Sequence, residues 1–282
     1  MTRLRNSWTL AKISWGVLRS DKTLAAFPVL STIASLLVVA IFGGLTVGLG
    51  VDHDHGQEGL KAIGYVFIVV GYIVLAFVTT YFTGALVAGA NDALQGRPTT
   101  LGESLAAANA KLHRLLPWAI VQGTVSAIIA AIEERFGTLG QIASRLLGAA
   151  WAVVTFLTIP IIMLEDLGPW NALKRSGTLL RQTWGENIVA QVGFGLIAML
   201  AGLPGAALVA IGIATGSVAV AIVLGIIGAV WIVIVSVVIA AMSGIYRTAL
   251  YRFAVDGRVP DAFAGVDMQH AFGPRGDRRQ IT

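Results

Sequence analysis

Two aspartates and two histidines alternate in one short polar segment, and these residue types are common ligands of transition metals. The segment reads Asp52, His53, Asp54 and His55, and Glu58 follows shortly after. Carboxylates and imidazoles this close together could bind Zn²⁺ or Cu²⁺. The segment is flanked by glycine, and nothing in it fixes a coordination geometry. We therefore interpret it as a solvated acidic loop and predict neither a metal nor a cofactor.

A second acidic pair, Glu165 and Asp166, ends a long apolar run that contains Pro160. Such a pair could form a cation site at the mouth of a pore. It also precedes a helical segment that carries Lys174 and Arg175, and carboxylates near a helix N-terminus are favourable in any case. We favour the structural role and keep both acids as candidates for a polar pathway.

Gln122 and Gln191 are two further candidates for a polar pathway, because each lies inside a long apolar run. Amides in such positions more often bond a neighbouring helix, at about 0.6–2 kcal/mol each, and we favour that role. Other polar residues inside the apolar runs are Thr79, Thr80, Thr83, Thr124, Ser126, Thr155, Thr158 and Ser236. The runs hold no charged residue, which disfavours a proton pump. With no cysteine and no catalytic motif, we predict that the chain is not an enzyme.

The composition places the chain in a membrane. Of its 282 residues, 56% are hydrophobic and 12% are charged, and the mean hydropathy is +0.79. Soluble domains are about 45–50% apolar and about 25% charged. The chain has too few charges to cover a soluble globule, which excludes a cytosolic enzyme, a disordered tail and a soluble nucleic-acid binder. We predict a polytopic membrane protein.

Six charge-free segments are long enough to cross a bilayer, which takes about 20 apolar residues. They lie at about 24–50, 62–90, 115–132, 146–164, 188–213 and 218–244. These segments do not alternate polar and apolar residues, so helices rather than strands are predicted. The fold class is therefore an all-α membrane protein with six spans in one domain, 1–258, followed by a polar cytoplasmic tail, 259–282.

The distribution of basic residues predicts the orientation. With six spans, both chain ends share one side, and all lysines and arginines except Lys61, Arg135 and Arg145 lie on that side. Cytoplasmic loops carry an excess of basic residues, so we predict both termini in the cytoplasm and the spans in the plasma membrane. The excess of lysine and arginine on the cytoplasmic side sets the topology and contacts anionic lipids, so no nucleic-acid partner is needed to explain it.

Three amphipathic helices are predicted in the plane of the membrane on the cytoplasmic side, at about 3–20, 100–114 and 170–186. In the first helix the apolar face holds Leu4, Trp8, Ala11, Trp15 and Leu18. Candidate contacts for lipid headgroups on the first and third helices are Arg5, Lys12, Arg19, Lys174, Arg175 and Arg181.

The apolar positions of the three amphipathic helices align with one another. Leu4, Trp8, Ala11 and Trp15 correspond to Leu101, Leu105, Ala108 and Leu112 and to Leu173, Gly177, Leu180 and Trp184. In the same register Ser176 corresponds to Ser7. The pattern predicts a pseudo-repeat in which an amphipathic helix and a two-span hairpin occur three times.

The segment from Pro160 to Pro169, with Glu165 and Asp166 inside it, is followed by Lys174-Arg175-Ser176 and Trp184-Gly185-Glu186. With Ala249–Ala254 near the end, this series resembles a widespread prokaryotic family of uncharacterised six-span integral membrane proteins. The layout is similar, more distantly, to the membrane domain fused to glycerophosphodiester phosphodiesterases. The resemblance implies the fold and the location, and it supplies no catalytic residue.

Three functions follow from these patterns. The first is a passive channel-like or lipid-interacting membrane protein, and the second is a structural or accessory subunit of a larger membrane complex. The third is a lipid-handling intramembrane enzyme or transporter. Small residues at four-residue spacing, such as Gly44 with Gly48 and Gly148 with Ala152, favour close helix packing and a homo-oligomer or a membrane-protein partner.

Overall fold

A computed structural model describes residues 12–52, 59–184 and 190–256, and it is almost wholly helical. Its elements in chain order are α1 over 12–20, α2 Thr23–Gly50, β1 Val51–Asp52, β2 Gly59–Leu60, α3 Ala62–Leu94, α4 Leu101–Ala110, α5 Leu112–Arg135, α6 Gly137–Val154, α7 Thr158–Glu165, α8 Pro169–Trp184, α9 Ala190–Ala214 and α10 Val218–Asp256. β1 and β2 form a two-residue antiparallel pair in which Val51 faces Leu60.

Five segments within the described residues are long and apolar enough to cross a membrane, as the composition predicts. They are Thr23–Gly50, Ala62–Leu94, Leu112–Arg135, Thr138–Glu165 and Val218–Asp256. The fifth predicted span, 188–213, corresponds to α9, of which Ala198–Ala214 is a shorter apolar helix within the described side chains. The last span continues as one helix to Asp256, well beyond the predicted end at residue 244.

The fourth predicted span is broken. α6 ends at Val154, and α7 begins at Thr158 after a turn. Pro160 explains the break, because proline has no N–H for the carbonyl four residues earlier and its ring clashes with that carbonyl. Ser176 of α8 satisfies the polar groups that the break leaves: its Oγ donates to the Val154 carbonyl at 2.7 Å and accepts from the Leu157 N–H at 3.3 Å.

The amphipathic helices lie against the same end of the bundle as this break. Thr100 caps α4 by accepting from the Glu103 N–H at 3.2 Å. In α1 the side facing the bundle holds Ser14, Val17 and Leu18, whereas Trp15 is 45% exposed. The predicted apolar face, which paired Trp15 with Leu18, is therefore only partly the buried face.

The hydrophobic core occupies one end of the helices. Fully buried residues cluster at the start of α2, the end of α3, the start of α5, α7 and the end of α10, and examples are Phe27, Ala90, Leu115, Ile161 and Ile245. Towards the other end most large apolar side chains are exposed, as along α2 and α10. α3 contacts α2, α5, α7 and α10 and therefore lies at the centre. The bundle is tight at one end and presents an apolar surface along the rest, as lipid-facing helices do.

Close helix contacts depend on glycines that differ from most of those predicted. A Cβ on Gly123 of α5 would lie 2.8 Å from the Ile73 Cα of α3, and one on Gly228 of α10 would lie 2.6 Å from the Gly205 carbonyl oxygen of α9. By contrast, Gly44, Gly48 and Gly148 have open space at their Cβ positions. The four-residue spacing therefore does not by itself locate the contacts.

We expect Ser176→Ala to destabilise the protein by about 1–3 kcal/mol, because it leaves a buried carbonyl and a buried N–H without partners. The measurement is the free energy of unfolding in mixed micelles titrated with SDS. Thr178→Ala is the matched control on the same helix: Thr178 is exposed and bonds only its own helix, at the Lys174 carbonyl. Its effect should stay within about 0.5 kcal/mol. Equal effects of the two substitutions would show that the hydrogen bonds of Ser176 at the break do not stabilise the protein.

Candidate functional site

A cavity of about 380 Å³ lies between α2, α3 and α10, and its lining combines hydroxyl-bearing residues and one arginine with apolar side chains. Its lining residues are Pro28, Ser31, Thr32, Thr79, Phe82, Thr83, Leu86, Ser236, Val237, Ala240, Ser243, Gly244 and Arg247. Thr79 and Ala240 also belong to the exposed surface, so the cavity opens to the outside of the bundle. A volume of about 300–1,000 Å³ is typical of small-molecule sites. We call this space the α2–α3–α10 cavity.

The threonines in this cavity satisfy their own donors within their helices. The Thr32 hydroxyl donates to the Pro28 carbonyl at 2.8 Å, that of Thr79 to the Leu75 carbonyl at 2.9 Å, and that of Thr83 to the Thr79 carbonyl at 2.6 Å. This bonding lets a hydroxyl sit in an apolar helix without an unpaired donor. The oxygens retain lone pairs, so these threonines present acceptors along the wall.

Gly244 and Arg247 determine the shape of one end of the cavity. α10 approaches α3 so closely at Gly244 that a Cβ there would collide with Leu86. One turn further along α10, the Arg247 guanidinium lies over the Phe156 ring, with Cζ 4.9 Å from the ring centroid. The Arg247 Nε is buried and makes no hydrogen bond within the described part of the chain. Arg247 is the charged residue among those that line the cavity.

From the sequence, Thr79, Thr83 and Ser236 are expected as polar residues inside the spans, whereas Arg247 is expected only among the basic residues beyond the last span. The signal that could have found the site is the spacing of Ser236, Ser243 and Arg247. These residues fall on one face of a continuous helix, because residues three and four apart are neighbours on a helix surface.

Glu165, a predicted pathway residue, joins three elements at the end of the bundle that holds the buried core, which we call the packed end. Its carboxylate lies 3.3 Å from the Arg175 Nε of α8 and accepts a hydrogen bond from the Tyr251 hydroxyl of α10 at 3.1 Å. On α10, Arg252 donates to Asn91 of α3 at 2.8 Å. These contacts tie the ends of α3, α7, α8 and α10 together.

Asp166 adopts a left-handed conformation, φ 54°, at the turn between α7 and α8. Its carboxylate lies 2.8 Å from the Lys111 Nζ and 3.8 Å from the Arg114 Nε, and it does not contact Glu165's partner Arg175. The hydrogen bond from Lys111, together with the charges of Lys111 and Arg114, holds the pKa of Asp166 below its usual range. Glu165 and Asp166 thus bind different partners, although they are adjacent in sequence.

Gln122 lies between α5 and α6, where its Oε1 accepts from the Trp151 Nε1 at 3.1 Å. Trp151 also stacks on Trp118, with ring centroids 6.0 Å apart. Gln122 therefore bonds a neighbouring helix, and whether it also borders a polar pathway stays a prediction. Gln191 belongs to α9, but its side chain is outside the described residues.

The remaining predicted site residues fall in two groups. Lys12, Arg19, Lys174 and Arg181 are exposed, as headgroup contacts need to be, and Arg175 is partly exposed beside Glu165. Asp52 ends β1, whereas His53, Asp54, His55 and Arg5 lie outside the described residues. No cluster of three metal-ligating side chains occurs within the residues that the structure describes.

The fold defines an all-helical protein of the membrane type, with apolar helices long enough to cross a bilayer. The chain belongs to the family of unknown function DUF6159, whose model matches residues 62–261. This confirms the resemblance to a family of uncharacterised proteins. Searches of curated proteins and of solved structures found no match. The family match contains α3 and α10 with Arg247, whereas α2 precedes it.

The lowered pKa of Asp166 predicts a pH dependence of stability. An acid with a lowered pKa in the folded state stabilises fully above its unfolded value, about 3.9 for aspartate, and this contribution is lost as the pH falls through the lower folded value. We therefore expect the unfolding midpoint of the wild type to approach that of Asp166→Asn as the pH falls below about 4.

The measurement is thermal unfolding in detergent between neutral and acidic pH, followed by tryptophan fluorescence. Lys111→Met is the control, because it removes the main cause of the lowered pKa of Asp166. In the Lys111→Met background, the effect of Asp166→Asn on the unfolding midpoint should depend less on pH. Parallel profiles of wild type and Asp166→Asn at every pH would contradict the assignment.

Proposed function

We propose that the chain is a six-span, lipid-interacting protein of the plasma membrane that binds a lipid of the inner leaflet in the α2–α3–α10 cavity. The observation that carries this proposal is the cavity itself: about 380 Å³, with hydroxyl groups and Arg247 among the apolar side chains of its lining, open at Thr79 and Ala240, and surrounded by membrane-spanning helices. In a bilayer, the space outside this opening is filled by lipid.

The distribution of polar groups along α2 and α3 favours a lipid over a continuous aqueous path. A second cavity of about 300 Å³ lies further along the same two helices, towards β1 and β2. It is lined mostly by apolar side chains, including Val38, Val39, Phe42, Phe67 and Ile68. A cavity that contains polar groups near one end and an almost wholly apolar cavity towards the other match an amphiphile, which has a polar headgroup and apolar chains.

Charge supports the assignment of the cavity to the cytoplasmic side. Arg247 and the hydroxyls lie towards the packed end, where Lys111, Arg175 and Arg252 also gather. Basic residues favour the cytoplasmic face of a membrane protein. On this basis both termini are cytoplasmic, α9 is the fifth of six spans, and the cavity opens towards the inner leaflet.

The pseudo-repeat gains support from two serines. Ser104 and Ser176 occupy the same register of the predicted repeat, and both are buried, at 3% and 0% exposure. Ser176 bonds the preceding hairpin at the break between α6 and α7, and Ser104 lies against Gly89 of the preceding span, where a Cβ would be 2.9 Å from its Oγ. Each of these amphipathic helices thus uses a small polar residue to contact the hairpin before it.

The channel-like pathway, the accessory-subunit role and the lipid-handling enzyme or transporter stay predictions from the sequence. The homo-oligomer and the likeness to the membrane domain of glycerophosphodiester phosphodiesterases also stay predictions. For the described residues, the cavity is the feature that distinguishes a lipid-interacting role among these.

Filling the cavity should displace the lipid. Ala240 lines the cavity and is exposed, so Ala240→Leu adds volume there without entering the core. We expect native mass spectrometry of the detergent-purified chain to show bound phospholipid on the wild type and severalfold less on Ala240→Leu.

Ala229→Leu is the matched control, since Ala229 is an exposed alanine of the same helix outside the cavity lining. It should retain phospholipid as the wild type does. A wild type that carries no phospholipid, or two leucine variants that carry equal amounts, would overturn the proposal.

The chain contains no cysteine, so single cysteines report orientation directly. Gly102 of α4 and Ser217, between α9 and α10, are exposed and lie on opposite predicted faces. We expect a membrane-impermeant maleimide to label Ser217→Cys on intact cells and to label Gly102→Cys only after permeabilisation. The reverse pattern would show that the packed, basic end faces outward.

A further inference from the structure

Arg247 has a buried Nε, whereas the described cations that lack an acidic partner, such as Lys174 and Arg181, are exposed. Four other cations at the packed end of the bundle have acidic partners. Arg97 pairs with Asp92, Lys111 with Asp166, Arg175 with Glu165, and Arg252 with Asp256. Within the described residues, no carboxylate lies within 4 Å of the Arg247 guanidinium. Its buried Nε has no hydrogen-bond partner there.

An arginine in this position is costly without an anion. Removing a guanidinium from water carries a desolvation cost that only a counter-charge or well-placed hydrogen bonds offset, and intramembrane charges usually mark functional sites. The Phe156 ring offsets part of this cost through a cation–π contact, about 0.5–2 kcal/mol in proteins. The ring covers one face of the planar guanidinium, and Arg247 lines the cavity, so we expect its terminal N–H groups to meet an oxyanion there.

The chemistry of the cavity indicates the kind of anion. Guanidinium matches phosphate oxygens in a bidentate arrangement that an ammonium cannot reproduce. Ser243 precedes Arg247 by one helical turn and lines the same cavity, which supplies a hydroxyl beside the cation. One lining cation balances one negative charge, and a phosphodiester carries one negative charge.

We infer that Arg247 and Ser243 make the α2–α3–α10 cavity a binding site for a phosphate-bearing anion, with the phosphodiester headgroup of an anionic lipid as the form that the membrane supplies. The inference rests on the proposed lipid-binding function and specifies its ligand class. Free inorganic phosphate shares the recognition chemistry and is the other source that an experiment must separate.

The experiment measures the unfolding midpoint of the full chain in detergent as a function of three added probes. These are dioleoyl phosphatidylglycerol, dioleoyl phosphatidylcholine with the same acyl chains, and inorganic phosphate. We expect phosphatidylglycerol to stabilise the wild type at lower concentration than phosphatidylcholine does. Arg247→Gln should weaken the response to phosphatidylglycerol about tenfold or more, because a charge-assisted contact is lost.

Arg252→Gln is the matched control, since it removes one positive charge from the same helix outside the cavity. It should keep the preference for phosphatidylglycerol. Arg247→Lys retains the charge and loses the bidentate geometry, so its response should fall between those of the wild type and Arg247→Gln. If Arg247→Gln does not unfold cooperatively, the comparison of Arg247→Lys with the wild type decides the matter.

The outcomes separate the ligand class from the proposed function. A wild type that retains phospholipid while Arg247→Gln responds to phosphatidylglycerol as the wild type does overturns the inference and leaves lipid binding intact. Equal responses of the wild type to the two lipids also overturn it. Stabilisation by inorganic phosphate that depends on Arg247, without retained phospholipid, supports the anion site and removes the lipid as its source.

Discussion

Polar contacts at one end of the bundle join α3, α7, α8 and α10 and hold these helices together. Glu165 connects α7 to Arg175 of α8 and to Tyr251 of α10, and Arg252 connects α10 to Asn91 of α3. The same end holds the buried apolar core. Because these polar contacts are made where the helices leave the apolar region, the spans themselves can remain almost free of charge. The α2–α3–α10 cavity lies between three of the helices that run from this end.

Composition and hydropathy predicted the class of fold because the bilayer imposes a length and an apolar character that a single sequence displays. The five long apolar helices agree with that expectation. A kink or break is expected near Pro160 from the sequence, and the helix is interrupted between Val154 and Thr158. Its cause is the missing proline N–H, and its compensation comes from Ser176, which is distant in the sequence. Hydropathy carries no signal for such a pairing.

Side-chain partners were harder to predict than elements. The spacing rules identify residues on the same helix face, but they do not say which face meets which helix. Gly148 and Gly123 illustrate this, since both are small residues in spans and only Gly123 has a backbone within contact distance. Glu165 and Asp166 are neighbours in sequence, yet the left-handed turn at Asp166 sends their carboxylates to different partners. Only the three-dimensional arrangement separates them.

The position of Arg247 also argues against a purely structural role. A structural arginine at a helix end usually bonds a carboxylate or a carbonyl group, as Arg175 and Arg252 do here through Glu165 and Asp256. Arg247 instead stacks on Phe156 at the edge of a hydroxyl-lined space. Gly244 lies one turn from the cation on α10, where its missing side chain lets α10 approach Leu86 at the wall of the cavity. A cavity that holds its cation among buried neighbours and is exposed at Thr79 and Ala240 fits the proposed binding of an amphiphile headgroup whose chains stay in the bilayer.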